Sequence, residues 1–127
     1  MTSDKILEID GAFGEGGGAI VRIGAGFSIL CKRPIRIKNI RANRSKPGLR
    51  LQHLKGLETL AILTDSSLSD CQVGTKEITL YPKEKIKTRI EVDVGTAGNI
   101  GLLIQPIQIA SLGFNRVEKI EILLSNI

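Results

Sequence analysis

Between Asp10 and Ala19, in "DGAFGEGGGAIVR", five glycines surround a single carboxylate, Glu15. Apolar residues follow, interrupted by Arg22. A glycine-rich turn from strand to helix lets backbone approach a phosphate. The first N–H groups of a helix lack intrahelical partners and carry the positive end of its dipole. Here those groups belong to the segment opened by Gly16, Gly17 and Gly18. A carboxylate beside them repels phosphate unless a cation stands between the two. Glu15 can hold Mg2+ or Mn2+, hard ions that take oxygen ligands and bridge phosphates. Arg22, one to two turns into the helix, can neutralise a phosphate oxygen. The competing reading is a plain tight turn, with Glu15 a helix-start acid favoured by the dipole.

A second cationic group follows. "KRPIRIKNIRANRSKPGLR", residues 32–50, carries eight Lys/Arg and no acid. An ordinary solvated surface mixes both signs, so the run points to nucleic acid or nucleotide phosphate. Arg41 and Arg44 fall in a loop just after a strand, where open α/β folds place ligands. Their planar guanidinium forks suit phosphate oxygens; the alternative is a solvated basic loop. Aromatic residues are only 3% of the chain, which argues against base stacking on aromatic platforms. The single histidine, His53, rules out a multi-histidine metal site and is read as a structural or surface residue. Cys31 and Cys71 make no metal motif and are read as reduced residues of an intracellular protein.

These groups need a scaffold, and 127 residues suffice for one domain with a modest core. No apolar run approaches the roughly 20 residues of a membrane span. The start, "MTSDKILEID", lacks the apolar core of a signal peptide, so a cytoplasmic location is expected. "KILEID" alternates and predicts a strand. Ile20, Ile23, Phe27 and Leu30 recur at helical spacing and predict a helix over about 17–31. "PIRIKNI" alternates again, with Ile35, Ile37 and Ile40 interleaved with Arg36 and Lys38. "RANRSKPG" reads as a loop, with Pro47-Gly48 setting the turn into a second helix over about 49–64. "TDSSLSDCQVG" holds turn residues and a short strand. "KEITLYP" and "KTRIEVDV" predict two more strands, the first ended by Pro82.

The chain then starts over. "RIEVDVGTAGNIGLLIQPIQIASLGFNRVEKIEIL" lies under "KILEIDGAFGEGGGAIVRIGAGFSILCKRPIRIKNI", with Asp93 under Asp10 and Gly95 and Gly98 where the first glycine loop stood. Asp10 and Asp93 are expected to cap the two glycine turns. Pro106 should weaken the third helix, since an interior proline removes a hydrogen bond and kinks the chain. The pattern predicts an α/β (α+β) fold of repeated βαβαββ units, about one and a half copies long. The first copy spans 1–84 and the first half of a second spans 85–127, in one compact domain. A half copy leaves the third helix and last strand without cover, which predicts a homo-oligomer.

Three segments together resemble the RNA 3'-terminal phosphate cyclase family: "IDGAFGEGGGAIVR", "IRANRSKPGLRLQHL" and "VDVGTAGNIGLLIQ". Their order and spacing fit as well, and "VGTKEITLYP" fits a strand between them. The resemblance implies an N-terminal portion of an ATP-dependent enzyme of the ligase class. Such an enzyme converts an RNA 3'-phosphate to a 2',3'-cyclic phosphate through adenylate on a histidine, with a divalent metal. By position, Glu15 resembles the family's metal-facing acid. Gly16, Gly17, Gly18, Arg22 and Gln105 resemble nucleotide and phosphate contacts, and Arg41, Arg44 and Gln52 contacts to the RNA end. ATP, Mg2+ or Mn2+, and RNA 3'-phosphate ends are the implied ligands, with a polypeptide carrying the missing repeats as a further partner. Ala19 stands where many members carry glutamine. Asn43 replaces a usual glycine, though asparagine tolerates positive φ. The family's nucleophilic histidine is expected beyond residue 127, so the chain alone should be inactive. The alternative function is a non-catalytic RNA-binding or ribosomal RNA processing protein of the same fold.

Overall fold

Alternation sets the centre of the main sheet. Along β2, Ile35–Lys38, the two isoleucines are buried while Arg36 and Lys38 are half-buried on the opposite face. A computed structural model of the chain describes residues 5–83, 85–87, 89–93, 100–114 and 121–125. β1, Leu7–Asp10, runs parallel to β2 and is joined to it by α1, Ala19–Cys31. From β2 the chain passes through α2, Leu51–Thr64, to β3, Ser67–Leu68, and β4, Ile78–Tyr81. The sheet order is β1-β2-β4-β3, with β4 antiparallel to both of its neighbours. A second, two-stranded parallel sheet follows, from β5, Arg89–Asp93, and β6, Glu121–Ser125, joined by α3, Ile100–Ser111. The fold is thus mixed α/β, in the order βαβαββ then βαβ.

The helices start where the backbone permits. α1 begins two residues later than the periodicity predicts, because Gly16 has φ 61 and the chain is still turning. Only glycine adopts that left-handed conformation at little cost. α1 ends at Lys32, whose φ of 56 lets its N–H return to the Ile29 carbonyl at 3.2 Å. α2 also starts two residues later than expected. Leu49 N–H donates to the Thr75 carbonyl at 2.9 Å, and the Leu49 carbonyl accepts Gly74 N–H at 2.7 Å. Those two bonds hold Leu49 in an extended ladder, so helix geometry begins only at Leu51.

One core joins all these pieces. Val21, Ala25 and Ile29 of α1 meet Ile35 and Ile37 of β2, Leu57, Leu60 and Leu63 of α2, and Ile78 and Leu80 of β4. Ile90 of β5 and Leu103, Ile107 and Ala110 of α3 belong to the same cluster. The expected lack of cover on the third helix is therefore not observed: its apolar face is spent on α1 and α2. α3 also runs through Pro106 rather than ending there. The ring is fully buried and the Pro106 carbonyl packs on Gly26 of α1. Tertiary packing thus supports a turn that has lost one backbone donor. An apolar groove of about 520 Å3 does open beside the edge strand β1, among Leu7, Ile9, Ile20, Ile23 and Phe27. The last strand occupies 121–125, whereas the predicted one begins earlier, on residues outside those described.

Candidate anion-binding site

The loop from β1 to α1 is shaped by its own polar groups. Asp10 Oδ1 accepts the Ala12 N–H at 3.0 Å and the Asn39 carboxamide at 3.3 Å. The aspartate thereby caps the glycine turn, as its position at the strand end suggests; the Asp93 side chain lies outside the described residues. Gly18 is the N-cap of α1, and the first turn of the helix contains no acid. Glu15 precedes that cap by three residues and its side chain is exposed. It therefore does not sit on the helix as the dipole reading requires.

Arginines from two elements converge on this loop. Arg44, from the loop after β2, donates Nη2 to the Glu15 carbonyl at 3.0 Å. The same guanidinium lies 2.9 Å from where a Cβ on Gly17 would sit. Arg22, on α1, donates Nε to Gln105 Oε1 on α3 at 2.7 Å. That bond holds the guanidinium so that Nη1 lies 2.9 Å from the Cβ position of Gly18. The His53 ring reaches the same spot from α2, and a Cβ on Gly18 would overlap it. Any other residue at Gly18 must displace the ring or the guanidinium.

Arg41 behaves differently. Its Nη1 donates to the Lys46 carbonyl at 2.6 Å and the Gly48 carbonyl at 3.1 Å, closing the loop on itself. Its φ is positive, at 49, as are those of Asn39 and Gly48 on either side; Asn43, which would tolerate that conformation, does not adopt it. Gln52 is half-buried beside the His53 ring, its carboxamide nitrogen 3.5 Å from Nε2. The structure thus brings Gly17, Gly18, Arg22, Arg44 and Gln105 together at the start of α1. Arg41 is engaged in building the loop, and Gln52 stands at the margin.

The electrostatics are one-sided. Among the described residues, none of Arg22, Arg41, Arg44 and Arg50 has a carboxylate within ion-pair distance. Burial lowers the pKa of Arg22, and burial with the charges of Arg44 and Arg50 lowers that of Arg41. These cations lack compensation that a bound anion would supply. His53 responds most: burial, then Arg41, Arg22 and Arg50, push its pKa down to about 4. Its Nδ1 accepts the Arg50 N–H at 3.0 Å. Arg50 is the N-cap of α2, so His53 fills the role that Glu or Gln plays in a capping box. A polar side chain three residues after a helix start is the sequence signal for that cap, which fits the reading of His53 as a structural residue. No group of three His, Cys, Asp or Glu side chains forms a metal cage among the described residues. Chemically, the arrangement can hold a multiply charged anion against backbone N–H groups, two guanidinium forks and an imidazole.

A family model described as RNA 3'-terminal phosphate cyclase matches residues 13–123. Among curated proteins, the RNA 3'-terminal phosphate cyclase of Staphylothermus marinus is 44% identical over 117 residues, covering 90% of this chain and 33% of its own length. That of Methanopyrus kandleri is 40% identical over 118 residues, covering 93% and 34% respectively. That of Desulfurococcus amylolyticus is 46% identical over 101 residues, covering 80% and 28%. The chain thus spans about a third of the length of the curated relatives it matches. On the match over 13–123, the chain belongs to the RNA 3'-terminal phosphate cyclase family.

Proposed function

We propose that the chain supplies the phosphate-binding portion of an ATP-dependent RNA 3'-terminal phosphate cyclase. The observation that carries this reading is the convergence of Arg22, Arg44 and His53 on Gly17 and Gly18, with no carboxylate beside the arginines among the described residues. In this reading α1 offers its free N–H groups, and Arg22 and Arg44 neutralise phosphate oxygens of ATP or of an RNA 3'-end. Gln105 orients Arg22 through their 2.7 Å bond. Arg41 holds the loop that presents Arg44, and Gln52 lies where the RNA end approaches.

Glu15 is one exposed hard-oxygen ligand, which fits Mg2+ or Mn2+ bound through a single carboxylate with phosphates completing the shell. Such an ion, when bound, offsets phosphate charge and lets a carboxylate share the site. The covalent step does not fall to His53. Its Nδ1 lone pair is taken by the Arg50 N–H and its Nε2 carries the proton, which leaves no lone pair to attack phosphorus. Incubation of the chain with α-labelled ATP and metal is therefore expected to leave no label on it.

The same reading includes a duplicated architecture: β5-α3-β6, with parallel strands, repeats the arrangement of β1-α1-β2. A polypeptide carrying further repeats, or a second copy of the chain, is the proposed protein partner. The test is calorimetric titration with ATP, with and without Mn2+, on the natural chain and Glu15→Gln. Binding that strengthens with Mn2+ only when Glu15 is present is the expected result. Equal ATP affinity in all four conditions would remove Glu15 and the metal from the site.

A further inference from the structure

His53 is only 4% exposed, and its two ring nitrogens differ in what they meet. Nδ1 accepts the Arg50 N–H. A nitrogen that accepts such a bond carries no proton, so the ring proton sits on Nε2 and that atom is a donor. The polar contact of Nε2 among the described residues is the Gln52 carboxamide nitrogen at 3.5 Å. Two donors facing each other make no hydrogen bond. Nε2 also lies where a Gly18 Cβ would be, next to Arg22 Nη1 and at the start of α1. A buried donor with so distant a partner gains from a ligand that supplies an acceptor.

We propose that His53 is an uncharged hydrogen-bond donor in the anion cradle, presenting Nε2–H beside Arg22 Nη1 to a phosphate oxygen bound over Gly17 and Gly18. The inference rests on the phosphate-binding reading above. Burial, then the charges of Arg41 in the loop after β2, Arg22 on α1 and Arg50 at the head of α2, disfavour an imidazolium. A neutral donor adds a directed bond without a further positive charge, and the backbone cap fixes its direction before any anion arrives. Gly18 is glycine for the same reason: the ring uses the volume a side chain would occupy.

The chain has one histidine, so its ring nitrogens are assigned without ambiguity in a 15N spectrum. The probe is inorganic pyrophosphate. At pH 7 the free protein is expected to show a protonated Nε2 and an unprotonated Nδ1. Pyrophosphate should move the Nε2 signal while Nδ1 stays in place. His53→Asn, which keeps an acceptor near the position of Nδ1, should keep a near-natural melting temperature and bind pyrophosphate about tenfold more weakly. A proton on Nδ1 or an imidazolium at pH 7 would overturn the inference. So would pyrophosphate binding that shifts the arginine Nε signals and leaves Nε2 unmoved, which would assign Nε2–H to the Gln52 carboxamide oxygen. If no signal moves, the phosphate-binding reading itself fails and this inference falls with it.

Discussion

The eight cations of residues 32–50 divide into regions with opposite surroundings. On β2, Arg36 and Lys38 share one carboxylate: Glu8, across the β1–β2 pair, lies 3.4 Å from Arg36 Nη1 and 3.2 Å from Lys38 Nζ. The Lys38 hydrogen bond and charge, with Arg36 behind them, lower the Glu8 pKa. A few residues on, Arg41, Arg44 and Arg50 have no such partner among the described residues, and Arg22 joins them from α1. The same residue types give a compensated face in one place and a cluster without acids, among the described residues, in the other. Charge density along the chain therefore does not mark the site. What marks it is positive charge that the fold has left without acids, at a helix start and beside glycines.

Geometry, rather than charge, is tested by Gly18→Ala, which alters no charge in either region. The added methyl overlaps the His53 ring and crowds Arg22, so a loss of about 1–3 kcal/mol in stability is expected, as for an overpacked core. Pyrophosphate affinity should fall as well, by more than tenfold. Gly24→Ala is the matched control: its methyl meets Ile37, Ile9 and Ile35 at 3.4 Å or more, so stability should hold or rise by about 0.5–1 kcal/mol. Chemical denaturation with parallel calorimetry measures both. Equal behaviour of the two variants would mean that the close approach at Gly18 does not shape the cradle.

Arg44→Ala should weaken RNA binding and reduce the slope of log K against log salt by about 0.7, the share of one phosphate contact on a single strand. Arg36→Ala, on the compensated face, should leave the slope unchanged. Arg41→Ala separates a third behaviour: loss of its bonds to the Lys46 and Gly48 carbonyls should lower the melting temperature by about 4 °C. An unchanged melting temperature with a reduced salt slope would turn Arg41 into a ligand contact like Arg44.

A smaller effect is expected from Gln105→Ala. It removes the acceptor that orients Arg22 and should weaken pyrophosphate binding roughly fivefold, the worth of about 1 kcal/mol. The melting temperature should move little because α3 keeps its apolar contacts. If affinity is unchanged, the Arg22–Gln105 bond has no part in aiming the guanidinium.

The two regions also differ in acid. The folded-state pKa of His53, about 4, lies below its ordinary value of 6.5, so between those values the unfolded chain binds the proton more readily. Stability is therefore fully present above pH 6.5 and declines as pH falls towards 4. His53→Asn should flatten that decline in thermal melts. Glu8, also lowered, contributes stability that is lost as pH falls through its folded-state pKa. It is solvent-exposed, so Glu8→Gln should barely change the curve. A decline that survives in His53→Asn would trace the acid sensitivity to other groups.

Much of the scaffold is legible in local pattern. The alternation at Ile35 and Ile37 is a consequence of which face meets the core, and short-range sequence records that. The helical spacing of Ile20, Ile23 and Phe27 predicts the helix but not its buried face: Val21, Ala25 and Ile29 meet the core, while Ile23 and Phe27 are exposed beside the apolar groove. The glycine turn with Glu15 and the cap at Asp10 are equally readable, because the groups involved are neighbours in the chain. The Arg22–Gln105 bond is different: its partners are 83 residues apart, and only the packing of α3 on α1 brings them together. Arg41 and Arg44 look interchangeable in sequence. The positive φ at Arg41 and the carbonyls of its own loop separate them. The role of His53 depends on three arginines from different elements and on the missing side chain at Gly18, none of which a helical pattern records.

The most direct measurement compares two double variants that each remove two positive charges. One is Arg22→Ala with Arg44→Ala, at the uncompensated site; the other is Arg36→Ala with Lys38→Ala, on the face paired with Glu8. Pyrophosphate is titrated into each and into the natural chain at the same ionic strength. With each guanidinium–phosphate contact worth about 1.5–3 kcal/mol, the first pair should weaken binding by at least a hundredfold, while the second changes it by less than about threefold. Equal losses in the two pairs would contradict the account, because binding would then follow net charge and not the cradle at Gly17 and Gly18.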